Sequence, residues 1–188
     1  KLRDAIGSRS TLLCVGLDTD MSQFEEAQGP GRQFDINKEV IDATAQDAAA
    51  FKLNMAFYES EGASGWVVLE RTVGYIRDTH PEVLTILDGK KGDIGNTSKA
   101  YARSAFEHLM ADSVTLNGYM GKDAITPFSS YVDRLCFILC RTSNTGAGEV
   151  QDIRSLEEPF YMKMARLAMS WNDHDNLGLV VGATYPAE

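Results

Sequence analysis

The sequence predicts an α/β chain whose parallel strands belong to a (β/α)8 barrel, and three observations carry that expectation. Short aliphatic runs alternate with longer stretches of helical period, polar residues stand at the carboxyl ends of successive strands, and no glycine fingerprint of a dinucleotide-binding sheet is present. Strands that alternate with helices return to the sheet in the same direction, which requires parallel pairing.

Taken in order, Leu12 to Asp18 is the first strand, Ala27 to Gln33 a loop containing glycine and proline, and Asn37 to Ala49 the first helix. Phe51 to Phe57 is the second strand and Trp66 to Thr79 the next helix. Val83 to Lys90 is the third strand and is followed by a helix over Thr97 to Met110. Ser113 to Tyr119 and Leu135 to Ser143 are the fourth and fifth strands, Pro159 to Trp171 is a helix, and Gly178 to Thr184 is the sixth strand. Six of eight strand–helix units are legible, so the expectation is a single barrel domain over residues 1–188 that lacks its C-terminal units. A doubly wound open sheet is the competing architecture and also binds ligands at strand carboxyl ends, but Gly7 to Gly16 contains no G-x-G-x-x-G.

The 188 residues carry 18 Lys and Arg against 27 Asp and Glu, a net charge of −9. A basic face for phosphate backbones or anionic membranes is therefore not expected, and neither nucleic acid nor membrane is a predicted partner. The apolar run Val67-Val68-Leu69 meets Glu70-Arg71 at once, far short of the roughly 18 apolar residues of a membrane helix. Lys1 to Gly7 has neither the apolar segment nor the cleavage site of a secretory signal. Cys14, Cys136 and Cys140 are odd in number and sit in apolar runs, which reads as buried free thiols in a reducing compartment and predicts a cytoplasmic location.

Reading each strand with period two separates its faces. Phe51, Leu53, Met55 and Phe57 share one face of the second strand, whereas Lys52, Asn54 and Ala56 share the other. Asp88 and Lys90 share a face of the third strand. Asp18, Asn117, Ser143 and Thr184 fall at or near the ends of others. Strands buried on both faces should be apolar throughout, so polar groups at their carboxyl ends point to a site.

The densest cluster is Leu87-Asp88-Gly89-Lys90-Lys91-Gly92-Asp93-Ile94-Gly95-Asn96-Thr97. Asp88 and Asp93 can flank the Lys90 ammonium, and neighbouring carboxylates favour its charged form. A Schiff-base lysine needs the opposite tuning, so Lys90 reads as a fixed cation and proton donor for a reaction that builds negative charge on carbon. The competing reading is a solvated ion-pair cluster in a loop.

At these residues the chain resembles the orotidine 5′-monophosphate decarboxylases. The likeness extends through Leu12 to Asp18, Phe51 to Glu59, Asp88 to Thr97, Thr115 to Asp123, Arg141 to Asn144 and Val180 to Pro186. The resemblance implies a homodimeric barrel that converts orotidine 5′-monophosphate to uridine 5′-monophosphate (UMP) and CO₂ without a metal or organic cofactor. It implies that Lys90 stabilises and protonates the C6 carbanion, while Asp88 and Asp93 hold the lysine and crowd the departing carboxylate. Asp18 and Lys52 would bind the ribose hydroxyls, Thr97 would reach the partner's substrate, Ser143 with Thr142 would read the pyrimidine edge, and Asn54 would lie near the same pocket. Two positions depart from the family pattern: Gly118 and Thr145 stand where proline is usual. The family's phosphate-gripping segment is expected after Pro186.

Two other functions remain open at this stage. One is a magnesium-dependent sugar-phosphate decarboxylase or aldolase of the same barrel superfamily, which would use the acidic pair partly as metal ligands. The other is a non-catalytic nucleotide-binding barrel. Outside the site, His80 and His108 read as helix-end residues, His174 as part of a polar turn, and Lys91 as a surface or dimer-contact charge. Phe160, Met162, Met164, Leu167, Met169 and Trp171 read as core packing.

Overall fold

The computed structural model describes residues 1–24, 31–155 and 158–184. They fall into two compact units. The first comprises Lys1–Gly89 with Ala105–Ser113. It contains α1 (Leu2–Arg9), β1 (Cys14–Gly16), α2 (Arg32–Thr44), β2 (Ala50–Asn54), α3 (Ala56–Glu59), α4 (Gly62–Thr79) and most of β3 (Leu84–Lys91). Its strands run in the order β1-β2-β3 and pair in parallel, with Cys14 opposite Ala50 and Asn54 opposite Asp88.

This unit closes on the faces that the periodicity separates. Phe51 and Leu53 of β2 are fully buried, while Lys52 and Asn54 on the other face are half-buried. On α2, Phe34, Asn37 and Ile41 recur at helical spacing and are buried, and on α4 Leu69, Val73 and Ile76 do the same. Each such large apolar side chain contributes about 1.5–3 kcal/mol of transfer free energy.

The second unit comprises Lys90–Ser104 and the chain from Val114 on. It contains α5 (Gly95–Arg103), β4 (Ser113–Leu116), α6 (Lys122–Ser129), β5 (Leu135–Arg141), α7 (Gly148–Gln151), the antiparallel hairpin β6 (Arg154–Ser155) and β7 (Glu158–Pro159), α8 (Phe160–Trp171) and β8 (Leu177–Val181). The order is β4-β5-β8, with β5 and β8 parallel. Met164, Ala168 and Trp171 form the buried stripe of α8 against β5 and β8. The Asn176 amide donates to the carbonyls of Ser129, Tyr131 and Arg134 at 2.9, 3.3 and 3.1 Å, which ties the turn before β8 to the end of α6.

The six expected strands are all present, shorter at several ends than the sequence predicts. The first helix is shifted: α2 begins at Arg32, next to Gly31, and ends at Thr44, where the Ala45–Asp47 turn carries the chain towards β2. The expected loop Ala27 to Gln33 therefore ends inside α2, and its residues 27–30 lie outside the described residues, as do Tyr185 and Pro186. The helix expected to Met110 stops as an α-helix at Arg103 and continues as a π-helical turn over Ser104–His108. Cys14 is exposed rather than buried, because β1 is the outer strand of its run. Met162 and Met169 are also exposed, since they lie off the Met164–Trp171 stripe.

Candidate active site

Asp18 just past β1, Lys52 on β2 and Asp88 on β3 form one charged group in the first unit. The Leu17 amide donates to the Lys52 carbonyl at 2.8 Å, extending the β1–β2 ladder and carrying Asp18 to the strand end. Asp18 Oδ1 accepts from the Asn54 amide at 3.0 Å, and its Oδ2 lies 3.3 Å from Lys52 Nζ. The same ammonium donates to Asp88 Oδ2 at 3.2 Å. Burial is the largest single influence on Lys52 and would lower its pKa, but the carboxylates of Asp18 and Asp88 together outweigh it and raise it. Lys52 is thus a fixed cation between two acids. The Lys52–Asp88 contact was not anticipated, although parallel register and a shared strand face make the two residues near neighbours. The Asn54 side chain is turned to local use, its Oδ1 accepting from the Ala56 amide at 3.3 Å.

Behind Asp18 lies a buried polar network with no counterpart in the sequence-derived site. Tyr58 OH donates to the Leu17 carbonyl at 2.9 Å and accepts from Asn37 Nδ2 at 3.0 Å. Asn37 Oδ1 accepts from the Thr19 hydroxyl at 2.8 Å, and Gln33 Nε2 donates to the carbonyls of Thr19 and Phe57 at 3.1 and 2.9 Å. Burial pushes the Tyr58 phenol well above its ordinary pKa, so it remains a neutral donor. The residues on both sides of Asp18 are therefore clamped. The available sequence signal was an asparagine, Asn37, on the apolar stripe between Phe34 and Ile41.

In the second unit, Lys90 is exposed and has a left-handed backbone, φ +47°. Its amide donates to Thr115 Oγ1 at 2.9 Å, and the next carbonyl, Lys91 O, accepts from the Asn117 amide at 2.8 Å. Asp93 is half-buried. Its Oδ1 accepts from the Ile94 amide at 2.8 Å, while its carbonyl accepts from the Ser98 hydroxyl at 2.6 Å. Thr97 is exposed within the first turn of α5, which begins at Gly95, two residues before the expected start, with Ile94 as its cap residue.

At the end of β5, Thr142 is half-buried and Ser143 exposed. Gln151 of α7 grips Thr142 twice: its Oε1 accepts from the Thr142 amide at 2.9 Å and its Nε2 donates to Thr142 Oγ1 at 2.7 Å. Gln151, Asn117, Leu139, Cys140, Phe160 and Met164 line a cavity of about 680 Å³ beside these residues. Gly182 packs on Ser143 so closely that a Cβ would lie 3.1 Å from the Ser143 amide nitrogen.

Charged and polar side chains at the carboxyl ends of parallel strands, in each of the two units, are where an α/β-barrel enzyme carries its reactive groups. The chain belongs to the orotidine 5′-phosphate decarboxylase / HUMPS family, whose model matches residues 11–188. It is 45% identical over 192 residues to an orotidine 5′-phosphate decarboxylase of Herpetosiphon aurantiacus, covering all of this chain and 71% of that protein. Its identity to the protein of the same name from Cellvibrio japonicus is 44% over 193 residues, covering 70% of that relative. Among solved structures, the Leishmania donovani orotidine monophosphate decarboxylase matches 99% of this chain and 72% of its own, with a TM-score of 0.89 at 40% identity. These likenesses give the barrel fold class and do not favour the magnesium-dependent reading.

Proposed function

We propose that the chain catalyses the decarboxylation of orotidine 5′-monophosphate to UMP and CO₂, the last step of UMP formation. The observation that carries this function is the family match over residues 11–188, with relatives of that name more than 40% identical. Lys90 is the reacting cation: the C6–carboxylate bond breaks, its electron pair stays on C6, and Lys90 Nζ delivers the proton that replaces CO₂. Asp88 and Asp93 hold the lysine and crowd the carboxylate that leaves. Fixed charge in a preorganised site is the means by which a localised carbanion is stabilised without an electron sink.

Asp18 and Lys52 bind the ribose hydroxyls, a role supported by the clamp on Leu17 and Thr19 and by the two carboxylates that keep Lys52 charged. Ser143 faces the pyrimidine edge with Thr142 beside it in the chain, and Asn54 supports the ribose contact through the amide it gives to Asp18. The working form is a cytoplasmic homodimer in which Thr97 reaches the neighbouring substrate. The test is the loss of orotidylate absorbance: Lys90→Ala should abolish turnover while the protein stays folded and still binds UMP. Near-normal kcat in that variant would overturn the assignment.

A further inference from the structure

We infer that Gln151 is a positioning residue for pyrimidine recognition, locking Thr142 so that Ser143 alone presents its hydroxyl to the base. This rests on the reading of Ser143 as a base contact and deepens it. The amide and the hydroxyl of Thr142 are both already engaged in holding the loop. Its amide donates to Gln151 Oε1 at 2.9 Å, its Oγ1 accepts from Gln151 Nε2 at 2.7 Å, and its hydroxyl proton goes to Asn144 Oδ1 at 2.6 Å. Thr142 is therefore a fastening point rather than a base reader.

Gln151 is itself fixed. Arg141, only 3% exposed, places Nη1 3.4 Å from Gln151 Oε1 and 3.3 Å from Asp152 Oδ1, and its guanidinium carbon lies 5.4 Å from the centre of the Tyr161 ring. On the far side of the loop, the Gly182 amide donates to the Arg141 carbonyl at 2.7 Å, and a Cβ at position 182 would press on the Ser143 backbone at 3.1 Å. The main chain from Arg141 to Ser143 is thus held by β8 on one side and by the Gln151 carboxamide on the other. A carboxamide suits this task, because Thr142 offers one donor and one acceptor that must be met by an acceptor and a donor on the same side chain.

A main chain fixed in this way sets where the Ser143 amide and hydroxyl meet the base edge, and uracil and cytosine present opposite donor and acceptor patterns there, at N3 and at the C4 substituent. The test compares UMP and CMP binding by calorimetry in wild type, Gln151→Ala, Gln151→Glu and Ser143→Ala. Gln151→Glu keeps the size and the acceptor but loses the donor to Thr142 Oγ1, so it reports even if the alanine variant folds poorly. Both Gln151 variants should reduce the UMP-over-CMP preference by about 3- to 10-fold, the worth of one misplaced hydrogen bond. Exchange of the Thr142 amide with solvent deuterium should rise in Gln151→Ala. A merely structural role would weaken both nucleotides equally and leave the ratio at its wild-type value, and that result overturns the inference if Ser143→Ala lowers the ratio. An unchanged ratio in Ser143→Ala overturns the underlying reading of Ser143 instead.

Discussion

At φ +47° the Cβ of Lys90 crowds its own following carbonyl, a conformation that costs a non-glycine residue roughly 1 kcal/mol or more. The surroundings over-determine it: Lys90 N is bonded to Thr115 Oγ1, and the next peptide is tied to Asn117. Such strain in the residue proposed to perform the chemistry means that side-chain placement has been favoured over backbone comfort. Replacing Lys90 with alanine keeps that cost, whereas glycine removes it. Lys90→Gly should therefore unfold in urea at a stability about 1 kcal/mol above Lys90→Ala, with turnover lost in both. Equal stabilities would show that the left-handed backbone is not retained without the lysine. None of this was visible in the sequence, because Asp-x-Lys-x-x-Asp names the groups but carries no dihedral angle. The two acids around Lys52 were half-legible: period two put Lys52 on the polar face of its strand, but only the register of β2 with β3 shows that Asp88 reaches it.

Among the elements, those with strong periodicity were legible and those that tertiary contacts define were not. All six main strands were found because aliphatic runs between polar ends carry their own signal. Helix α6 was missed, since eight residues containing Pro127 break the helical pattern. Helix α1 was missed because Ala5 is the one residue it buries, so no apolar stripe announces it. The corner between α3 and α4 was also invisible, yet it positions Tyr58, the donor to Leu17 O beside Asp18. Gly65 makes this corner possible: a Cβ there would lie 1.9 Å from the Tyr58 carbonyl oxygen and 2.8 Å from Glu61 Cβ. Backbone cannot yield as a flexible side chain does, so Gly65→Ala should destabilise the protein by about 3 kcal/mol or more. Whatever fold survives should lose affinity for UMP through the displaced Tyr58, which a melting curve paired with calorimetry reads directly. Wild-type stability in that variant would mean that the corner can open without cost. Gly118 is a milder case: a Cβ there would lie 3.0 Å from Ile138 Cγ2 and Met164 Sδ, side-chain atoms that can give where backbone cannot.

For the molecule as a whole, alkaline pH brings several buried groups into play with one sign. Burial pushes the Cys136 thiol up to about 12 from an ordinary value of 9.0, and it also raises the Tyr58 phenol. In the unfolded chain the thiol ionises as pH passes 9, while the folded chain keeps its proton, so the native state binds more protons and stability falls as pH rises. Tyr58 acts in the same direction above its ordinary value of 10.0. Lys52 does so too: its folded pKa is raised above 10.5, so the stabilisation is complete below that pH and disappears as pH climbs through the folded value. Three groups of different chemistry therefore converge on loss of stability above pH 9, each with a limiting slope of about 1.4 kcal/mol per pH unit. Urea unfolding should show a plateau near pH 8 and a decline that steepens from pH 9 to pH 11. Cys136→Ala separates one contribution from the others. Near pH 8 the variant is less stable than wild type by the packing of one small buried side chain. By pH 10 that deficit should shrink by about 1.4 kcal/mol, because only the wild type carries the Cys136 thiol, which is released to ionise on unfolding, while the other two cysteines act equally in both proteins. A deficit that stays constant between pH 8 and pH 10 would show that the Cys136 thiol ionises as readily in the folded protein as in the unfolded chain.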